Sequence, residues 1–261
     1  MLIKRMVETP YQAPASSVFS FWQFIKRAKE SNFVQFVIFA AVLHGGANIA
    51  GPYFLPYWTD TLHLSQSEWI ALQAAGGVST ILTLMIWGRF SDIFGNKQTM
   101  KYCALLISLT PFCWIFVHNF WLLILLQMFS MIFWTGFNLS SINYIYEAAS
   151  QPKRARCFAY YSLIIGVGVF IGTQIGILVA KYSPKEIFGI HIIDTFYWVL
   201  IVSGLVRLLS TVVFLKKFKE LRDVKPFELN SFWSDVLHIR SVFGIPLIRK
   251  DENPNHKHYQ K

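Results

Sequence analysis

The chain has 261 residues, of which 54% are hydrophobic and only 15% are charged, and its formal net charge is +10. Apolar runs of about 20 residues recur along it, the length that crosses a hydrocarbon core of about 30 Å, and this excludes a soluble globular domain. The basic residues cluster at the ends of these runs, which is typical of lipid contact and topology control, so we expect no nucleic-acid partner.

Six apolar segments follow one another along the chain. Their length predicts helices, because strands of a membrane β-barrel are only about 9–11 residues long and alternate apolar with polar residues. The sequence therefore predicts an all-α integral membrane protein, a six-transmembrane-helix bundle in contact with the lipid bilayer. The predicted spans are residues 33–58, 68–87, 98–118, 120–146, 157–180 and 195–215.

The spans divide the chain into a lead-in at 1–32, a transmembrane domain at 33–215 and a basic tail at 216–261. The lead-in contains apolar residues at helical spacing followed by bases, which predicts an amphipathic helix in the cytoplasmic interface at 16–30. Segment 227–244 repeats this pattern more weakly. The last residues have the composition of a solvated, disordered tail, and we expect no metal site at His256 and His258.

The distribution of basic residues predicts the orientation. All but three of the 24 Lys and Arg residues fall on one side of the predicted membrane; Lys181 and Lys185 lie on the other side. The positive-inside rule then places both termini in the cytoplasm, in an inner or plasma membrane. Arg207 lies within the sixth span, and we expect its long side chain to reach the cytoplasmic interface rather than a solute.

The segment between the second and third spans reads W-G-R-F-S-D-I-F-G-N-K-Q-T-M-K, and it contains the spacing Gly88-x-x-x-Asp92-x-x-Gly95-x-Lys97. Gly88 is expected to let two helices approach closely, and Gly95 to form a tight turn with positive φ. Asp92 is expected to face the positive end of a neighbouring helix, and Lys97 to lie at the lipid headgroups. A charged turn that only sets topology is the simpler alternative.

This spacing resembles the loop signature of the major facilitator superfamily, commonly G-x-L-a-D-r-x-G-r-k, between the second and third helices of a six-helix half. The sequence departs from that signature at Phe90, Ile93 and Asn96. The resemblance implies a gating loop that latches the cytoplasmic side in one state and releases it in the other.

The resemblance covers about residues 15–225 and extends to the order of the helices. Segment 33–57 resembles the entry into the seventh helix of a twelve-helix permease, and 203–210 resembles its final helix. This implies a C-terminal half with a 3+3 inverted repeat and a solute site completed by a second half. The expected partner is an N-terminal half, as a separate chain or as the rest of a longer reading frame, or a second copy of this chain.

Polar side chains are concentrated in the first and fourth spans, which line the cavity of each half in the superfamily. Polar groups in hydrocarbon are costly and usually face protein or a water-filled cavity. On the fourth span, one helical face carries Gln127, Met131, Trp134 and Asn138. The predicted substrate-facing residues are His44, Asn48, Gln73, Trp134, Asn138 and Gln174. Hydrogen bonds that merely tie helices together are the alternative role for these residues.

Two features of the first span predict functional roles. Pro52 and Pro56 break the helical ladder and would free backbone carbonyls toward the cavity. His44 is a candidate for coupling transport to protons.

The fifth span contains a strip of small residues. Such a strip lets another helix pack backbone to backbone, and it is a candidate face for a second half or for packing inside this one. The strip consists of Gly168, Gly172 and Gly176.

The function predicted from these patterns is transport of a small solute by alternating access. A non-transporting membrane remnant or a regulatory subunit is the alternative. The spans hold no paired carboxylates and no serine–histidine or metal-ligand spacing, so we expect neither an enzyme nor a bound metal or cofactor. The three cysteines are expected to act as small apolar residues. They are Cys103, Cys113 and Cys157.

Overall fold

The computed structural model describes residues 31–184, 186–187, 190–191, 195–222 and 224. The predicted interfacial helix at 16–30, the amphipathic segment at 227–244 and the two tail histidines lie outside the described residues.

Six long helices make up most of the described chain, and each coincides with one predicted span. All six are long and apolar enough to cross a membrane, which confirms the all-α six-helix architecture. A two-residue antiparallel pairing, β1 (Glu186–Ile187) with β2 (Ile190–His191), lies between the fifth and sixth helices. The helices are α1 (Asn32–Ala50), α2 (Gln66–Phe94), α3 (Asn96–Phe116), α4 (Phe120–Ala148), α5 (Arg154–Tyr182) and α6 (Thr195–Phe214).

The connection between α2 and α3 is much shorter than the sequence predicts. Helix α2 runs on to Phe94 and α3 begins at Asn96, so that Gly95 alone separates them. Most of the expected loop at 87–101 is therefore helical. Gly95 has a φ of 89°, a conformation in which only glycine is free of strain, and this permits so abrupt a turn.

The first span continues beyond Ala50 in irregular turns. A 3-10 turn at Gly51–Tyr53 contains Pro52, and a π-helical turn at Tyr57–Thr61 follows Pro56. Each proline lacks the backbone N–H that a regular helix needs, so the ladder of hydrogen bonds changes its spacing at these positions. The span therefore reaches Thr61 as a helix with a built-in break.

The packing of the first three helices repeats in the last three. Helix α1 packs against α5 and α6, α4 packs against α2 and α3, and α3 packs against α6. Exchanging α1 with α4, α2 with α5 and α3 with α6 leaves this set of contacts unchanged. Each exchange pairs helices that run in opposite directions, because three reversals of the chain separate them. This is the arrangement of a 3+3 inverted repeat.

The glycine strip of α5 lies against α1. A Cβ at Gly172 would meet the backbone carbonyl of Gly45, and a Cβ at Gly176 would meet the carbonyl of Ile49. The two helices therefore approach backbone to backbone, which larger residues would prevent. Of the two roles that the sequence leaves open for this strip, packing inside this half is the one that the structure shows.

Large apolar side chains cover much of the outer surface. Ile81 on α2 is 76% exposed, and Phe170 on α5 and Leu209 on α6 are each 64% exposed. Apolar exposure of this extent is unfavourable in water and is matched by acyl chains or by a partner helix. Cys103 is buried and Cys113 exposed on the same helix. The outer surface is therefore that of a membrane-embedded bundle.

Candidate functional site

A cavity of about 410 Å³ lies among α1, α2, α3, α4 and α6. Its polar wall residues come from all five helices, and its aromatic wall is formed by residues on four of these segments. The polar residues are Asn48, Gln73, Thr110, Gln127, Ser130 and Arg207, and the aromatic residues are Phe54, Trp58, Trp69, Trp114 and Trp134.

Helix α1 brings Asn48 to the cavity just before its break. The Asn48 side chain donates from Nδ2 to the carbonyl oxygen of His44 at 2.9 Å, one turn back on the same helix. This bond uses one amide proton and leaves the Oδ1 acceptor available. Pro52 lacks the N–H that would normally bond to the Asn48 carbonyl, so the break adds backbone polarity beside this side chain.

Helices α2 and α4 meet at the cavity through an amide pair. Gln127 on α4 donates from Nε2 to Oε1 of Gln73 on α2 at 3.0 Å. Both side chains line the cavity together with Trp134. Gln73 and Trp134 are among the predicted substrate-facing residues. Gln127 was assigned to the same helical face of α4, and the structure adds it to the wall.

The other three predicted substrate-facing residues lie outside this wall. His44 packs its ring 5.0 Å from that of Trp134, centroid to centroid, and Nε2 of His44 is buried with no partner among the described residues. Asn138 and Gln174 are exposed on α4 and α5. The structure brings Asn48, Gln73 and Trp134 together and leaves these three on other parts of the bundle.

Arg207 does not reach the headgroups, and the expectation that it does is wrong. It is 6% exposed. Its guanidinium donates to the carbonyl oxygen of Ile107 on α3 at 3.2 Å and to that of Ala47 on α1 at 3.4 Å. Sequence position alone placed this side chain about 13 Å from the basic exit of the sixth span. The turn of α6 that carries it faces α1 and α3 instead, and Arg207 lines the cavity.

Apart from Trp134, the aromatic wall is the part of the site that the sequence analysis did not predict. Trp58 and Trp114 have ring centroids 5.9 Å apart, and Phe54 packs edge to face against Trp114 at 5.1 Å. The available signal was the tryptophan content, since two of these rings lie in the last turns of the first and third spans. These rings provide apolar area in a wall that also contains amides.

The turn between α2 and α3 is held by a residue beyond α6. The carboxylate Oε2 of Glu220 accepts from the backbone N–H of Lys97, in the first turn of α3, at 2.7 Å. It lies where a Cβ at Gly95 would be, so Gly95 is needed for space as well as for its φ. A carboxylate at this position also complements the positive end of the α3 dipole. The sequence assigned such a role to Asp92, and in this structure Glu220 fills it.

The end of α4 is joined to the same turn. Asn96 donates to Oε1 of Glu147 at 2.7 Å, and Arg222 forms an ion pair with that oxygen at 2.8 Å. Arg222 also donates to the carbonyl oxygen of Ser91 at 2.9 Å. Asn96 is a departure from the loop signature, and its amide adds a hydrogen bond between α3 and α4.

A third set of bonds joins the same segment to α1. The backbone of Lys219 exchanges hydrogen bonds with the side chain of Asn32, at 2.6 and 2.9 Å. The hydroxyl of Tyr144 donates to the same Lys219 carbonyl and accepts from Asn32, both at 2.9 Å. Residues 215–222, which we call the closing segment, thus contact the ends of α1, α2, α3 and α4.

Two residues of the loop signature make few contacts. Asp92 is exposed and forms no hydrogen bond or ion pair with the residues that the structure describes. A Cβ at Gly88 would meet only Leu139, at 4.0 Å, so no close helix approach occurs at Gly88 in this structure. Within this half, the contacts of the signature with Glu220 come from Gly95 and Lys97.

Six apolar helices, five of which line a cavity with amides, tryptophans and an arginine, define a polytopic membrane protein. The sequence profile of the Major Facilitator Superfamily matches residues 36–249, and the chain belongs to that superfamily.

Curated relatives are similar to part of the chain. They include the quinolone resistance protein NorA from Staphylococcus aureus strains MRSA252, Mu50 / ATCC 700699 and N315. Each is 27% identical over 132 residues, which is 50% of this chain and 34% of the relative. The matched part thus spans about a third of the length of these relatives.

Proposed function

We propose that this chain carries a small solute across a membrane as one half of a transporter that works by alternating access. The observation that carries the proposal is the cavity of about 410 Å³ among α1, α2, α3, α4 and α6, which holds amides and rings inside an otherwise apolar bundle. A volume of this order suits a small molecule. Family membership and the similarity to a quinolone resistance protein support the same class of activity.

The second half completes the site. Superfamily transporters place the solute between two six-helix bundles near the membrane midplane, and the described chain provides one bundle. The second bundle is an N-terminal half or a second copy of this chain. His44, Asn138 and Gln174 join Asn48, Gln73 and Trp134 as solute-facing residues in that assembly. Asn138 and Gln174 are exposed on this bundle, and the ring of His44 packs against that of Trp134.

The end of the bundle with the closing segment is the cytoplasmic end. This assignment follows from the distribution of Lys and Arg along the chain. The Gly88–Lys97 segment acts there as the gating element: Gly95 and Lys97 are fixed by Glu220, while Asp92 binds the positive end of a helix in the second half. Opening of the cytoplasmic side then breaks only the Asp92 contact.

His44 is a candidate for proton coupling. Its ring lies against Trp134 in the cavity wall, and its Nε2 has no partner among the described residues. A neutral imidazole that takes up and releases a proton would make transport depend on pH. Transport by a His44→Gln variant should lose its pH dependence, and an unchanged pH profile would remove this role.

Flux measurements test the proposal without knowledge of the solute. Liposomes containing the chain alone, or the chain with a second six-helix half, are loaded with a mixed metabolite extract, and mass spectrometry follows which metabolites leave. We expect a restricted set to leave only when both halves are present. Flux from neither preparation would identify a non-transporting subunit.

A matched pair of variants connects that flux to the cavity. Ser130→Trp fills the cavity wall, whereas Gly166→Trp places the same side chain on a side of α5 with nothing within 4 Å. We expect the first variant to abolish flux and the second to retain it. Equal flux from the two variants would place the solute path elsewhere.

A further inference from the structure

We propose that the cavity binds an organic anion, with the carboxylate or phosphate of the solute on Arg207 and an aromatic or apolar body against the tryptophans. This inference rests on the proposed function, whose solute it assigns to a chemical class. It starts from the one position where the cavity wall carries a charge.

Arg207 is the only charged residue in the cavity wall among the described residues. No carboxylate forms an ion pair with it in the part of the chain that the structure describes, where the Glu147–Arg222 ion pair lies at the far end of α4. A buried charge without a counter-ion is strongly unfavourable, and buried arginines are normally paired. Within the described part of the chain, the structure therefore holds a buried cation with no carboxylate paired to it.

The guanidinium is also incompletely hydrogen-bonded. It donates to the carbonyl oxygens of Ile107 and Ala47, and its Nε is buried without a partner. The two carbonyls are neutral, so they orient the guanidinium across α1 and α3 without neutralising it. Guanidinium groups bind carboxylate and phosphate in a bidentate geometry, which uses the donors that backbone carbonyls leave free.

A second buried donor lines the same cavity. Trp58 is 5% exposed, and its Nε1 has no partner among the described residues. An indole N–H can only donate, and the ring that carries it packs against Trp114 in the cavity wall. The Oδ1 of Asn48 and the Gln73–Gln127 amide pair provide the remaining polarity, and none of these carries a charge.

The rest of the wall fits an apolar body. Trp114, Trp69 and Trp134 line the cavity with Phe54 and Leu55. Rings of this kind stack on flat aromatic groups and exclude water, which strengthens a charge-assisted hydrogen bond in the same cavity. The wall thus selects a molecule with one anionic group and one apolar part.

Benzoate and benzamide test the proposal, because they have the same shape and differ in charge. Equilibrium dialysis of the radiolabelled compounds, at constant ionic strength, measures their binding to the full chain. The chain is purified together with any second bundle that binds it. We expect benzoate to bind about tenfold or more tightly than benzamide, the value of one charge-assisted hydrogen-bonding site. Phenyl phosphate distinguishes a carboxylate site from a phosphate site.

Variants test whether Arg207 causes the preference for benzoate over benzamide. Arg207→Gln should reduce the benzoate-to-benzamide ratio to about one, whereas Arg207→Lys should retain part of it because the charge remains. Lys101→Gln makes the same change in net charge outside the cavity and should keep the full ratio. A ratio near one in the unaltered protein would overturn the proposal, and so would a full ratio in Arg207→Gln.

The two proposals fail separately. If metabolites leave the liposomes but the leaving molecules are neutral and benzoate shows no preference, transport stands and the anion site is wrong. If benzoate binds through Arg207 but no flux occurs with either preparation, the anion site stands and transport is wrong. A carboxylate of the second half that pairs with Arg207 would appear as the first of these results.

Discussion

Two faces of α1 differ in whether this chain completes them. On one face, the backbone at Ala41, Gly45 and Ile49 is covered by the glycines of α5, with no room for a side chain between the helices. On the other face, Asn48 lines a cavity that contains an arginine with no counter-ion among the described residues. The first face is closely packed within this chain. The second borders a buried group, Nε of Arg207, that has no partner among the described residues. The contrast separates the face of α1 that stabilises the fold from the face that carries the site we propose for the solute.

The glycine interface should govern stability. Gly172→Ala should lower the free energy of unfolding by about 1–3 kcal/mol, because its Cβ meets the carbonyl of Gly45 and the helices must separate. Gly166→Ala is the matched control on the same helix, with nothing within 4 Å of its Cβ, and should not destabilise the protein. Denaturation in mixed micelles measures both. If Gly172→Ala and Gly166→Ala have the same free energy of unfolding, the glycine interface does not govern stability and the two faces of α1 do not differ in this way.

The cavity face should govern transport. Asn48→Leu should reduce solute flux by the assembled transporter about tenfold, the loss expected when one good hydrogen bond to the solute is removed. Thr173→Val is the matched control, since Thr173 bonds one turn back on α5 as Asn48 does on α1, away from the cavity. Flux into liposomes compares the two variants. A similar loss in both would indicate a general effect of removing such bonds.

The gating loop should show a smaller effect on transport. Asp92→Asn should reduce flux about two- to fivefold, the size of one interaction between a carboxylate and a helix terminus, while membrane insertion stays normal. Asp60→Asn removes an exposed carboxylate outside the loop and should leave flux unchanged. If Asp92→Asn transports normally, the turn sets topology alone.

The closing segment should contribute least. A double-mutant cycle of Arg222→Gln and Glu147→Gln should give a coupling energy of about 0.2–1 kcal/mol, because the Arg222 side chain is 38% exposed and its ion pair is screened by water. Unfolding midpoints of the two single variants and the double variant provide it. A coupling well above this range would make the closing segment a main support of the bundle.

The sequence predicts the architecture well because membrane spans have a simple physical signature. Six apolar runs of sufficient length locate all six helices, and the inverted repeat follows from family resemblance. The structure places Asn48, Gln73 and Trp134, three of the six predicted substrate-facing residues, in the wall of one cavity, as expected of polar residues in apolar helices. Their contact with a solute stays a prediction.

What the sequence did not predict depends on rotation of helices and on contacts distant along the chain. The side of α6 that carries Arg207 faces α1 and α3, and no periodicity of α6 alone reveals which side is covered. The carboxylate of Glu220 accepts a hydrogen bond from the backbone N–H of Lys97, which lies 123 residues earlier in the chain. The glycine strip was identified correctly as a close-packing surface. The spacing of the glycines alone does not show whether the helix that packs there is α1 or a helix of a second half.

Thiol labelling measures the central contrast directly. In a Cys113→Ser background, which removes the exposed native cysteine, Gln73→Cys and Ile171→Cys place a thiol in the cavity and on an exposed apolar position of α5. A membrane-impermeant maleimide is applied to vesicles with and without the transported solute. The account predicts that Gln73→Cys reacts and the solute protects it, while Ile171→Cys does not react. Equal reactivity at both positions, or no protection at Gln73→Cys, would contradict a solute path through this cavity.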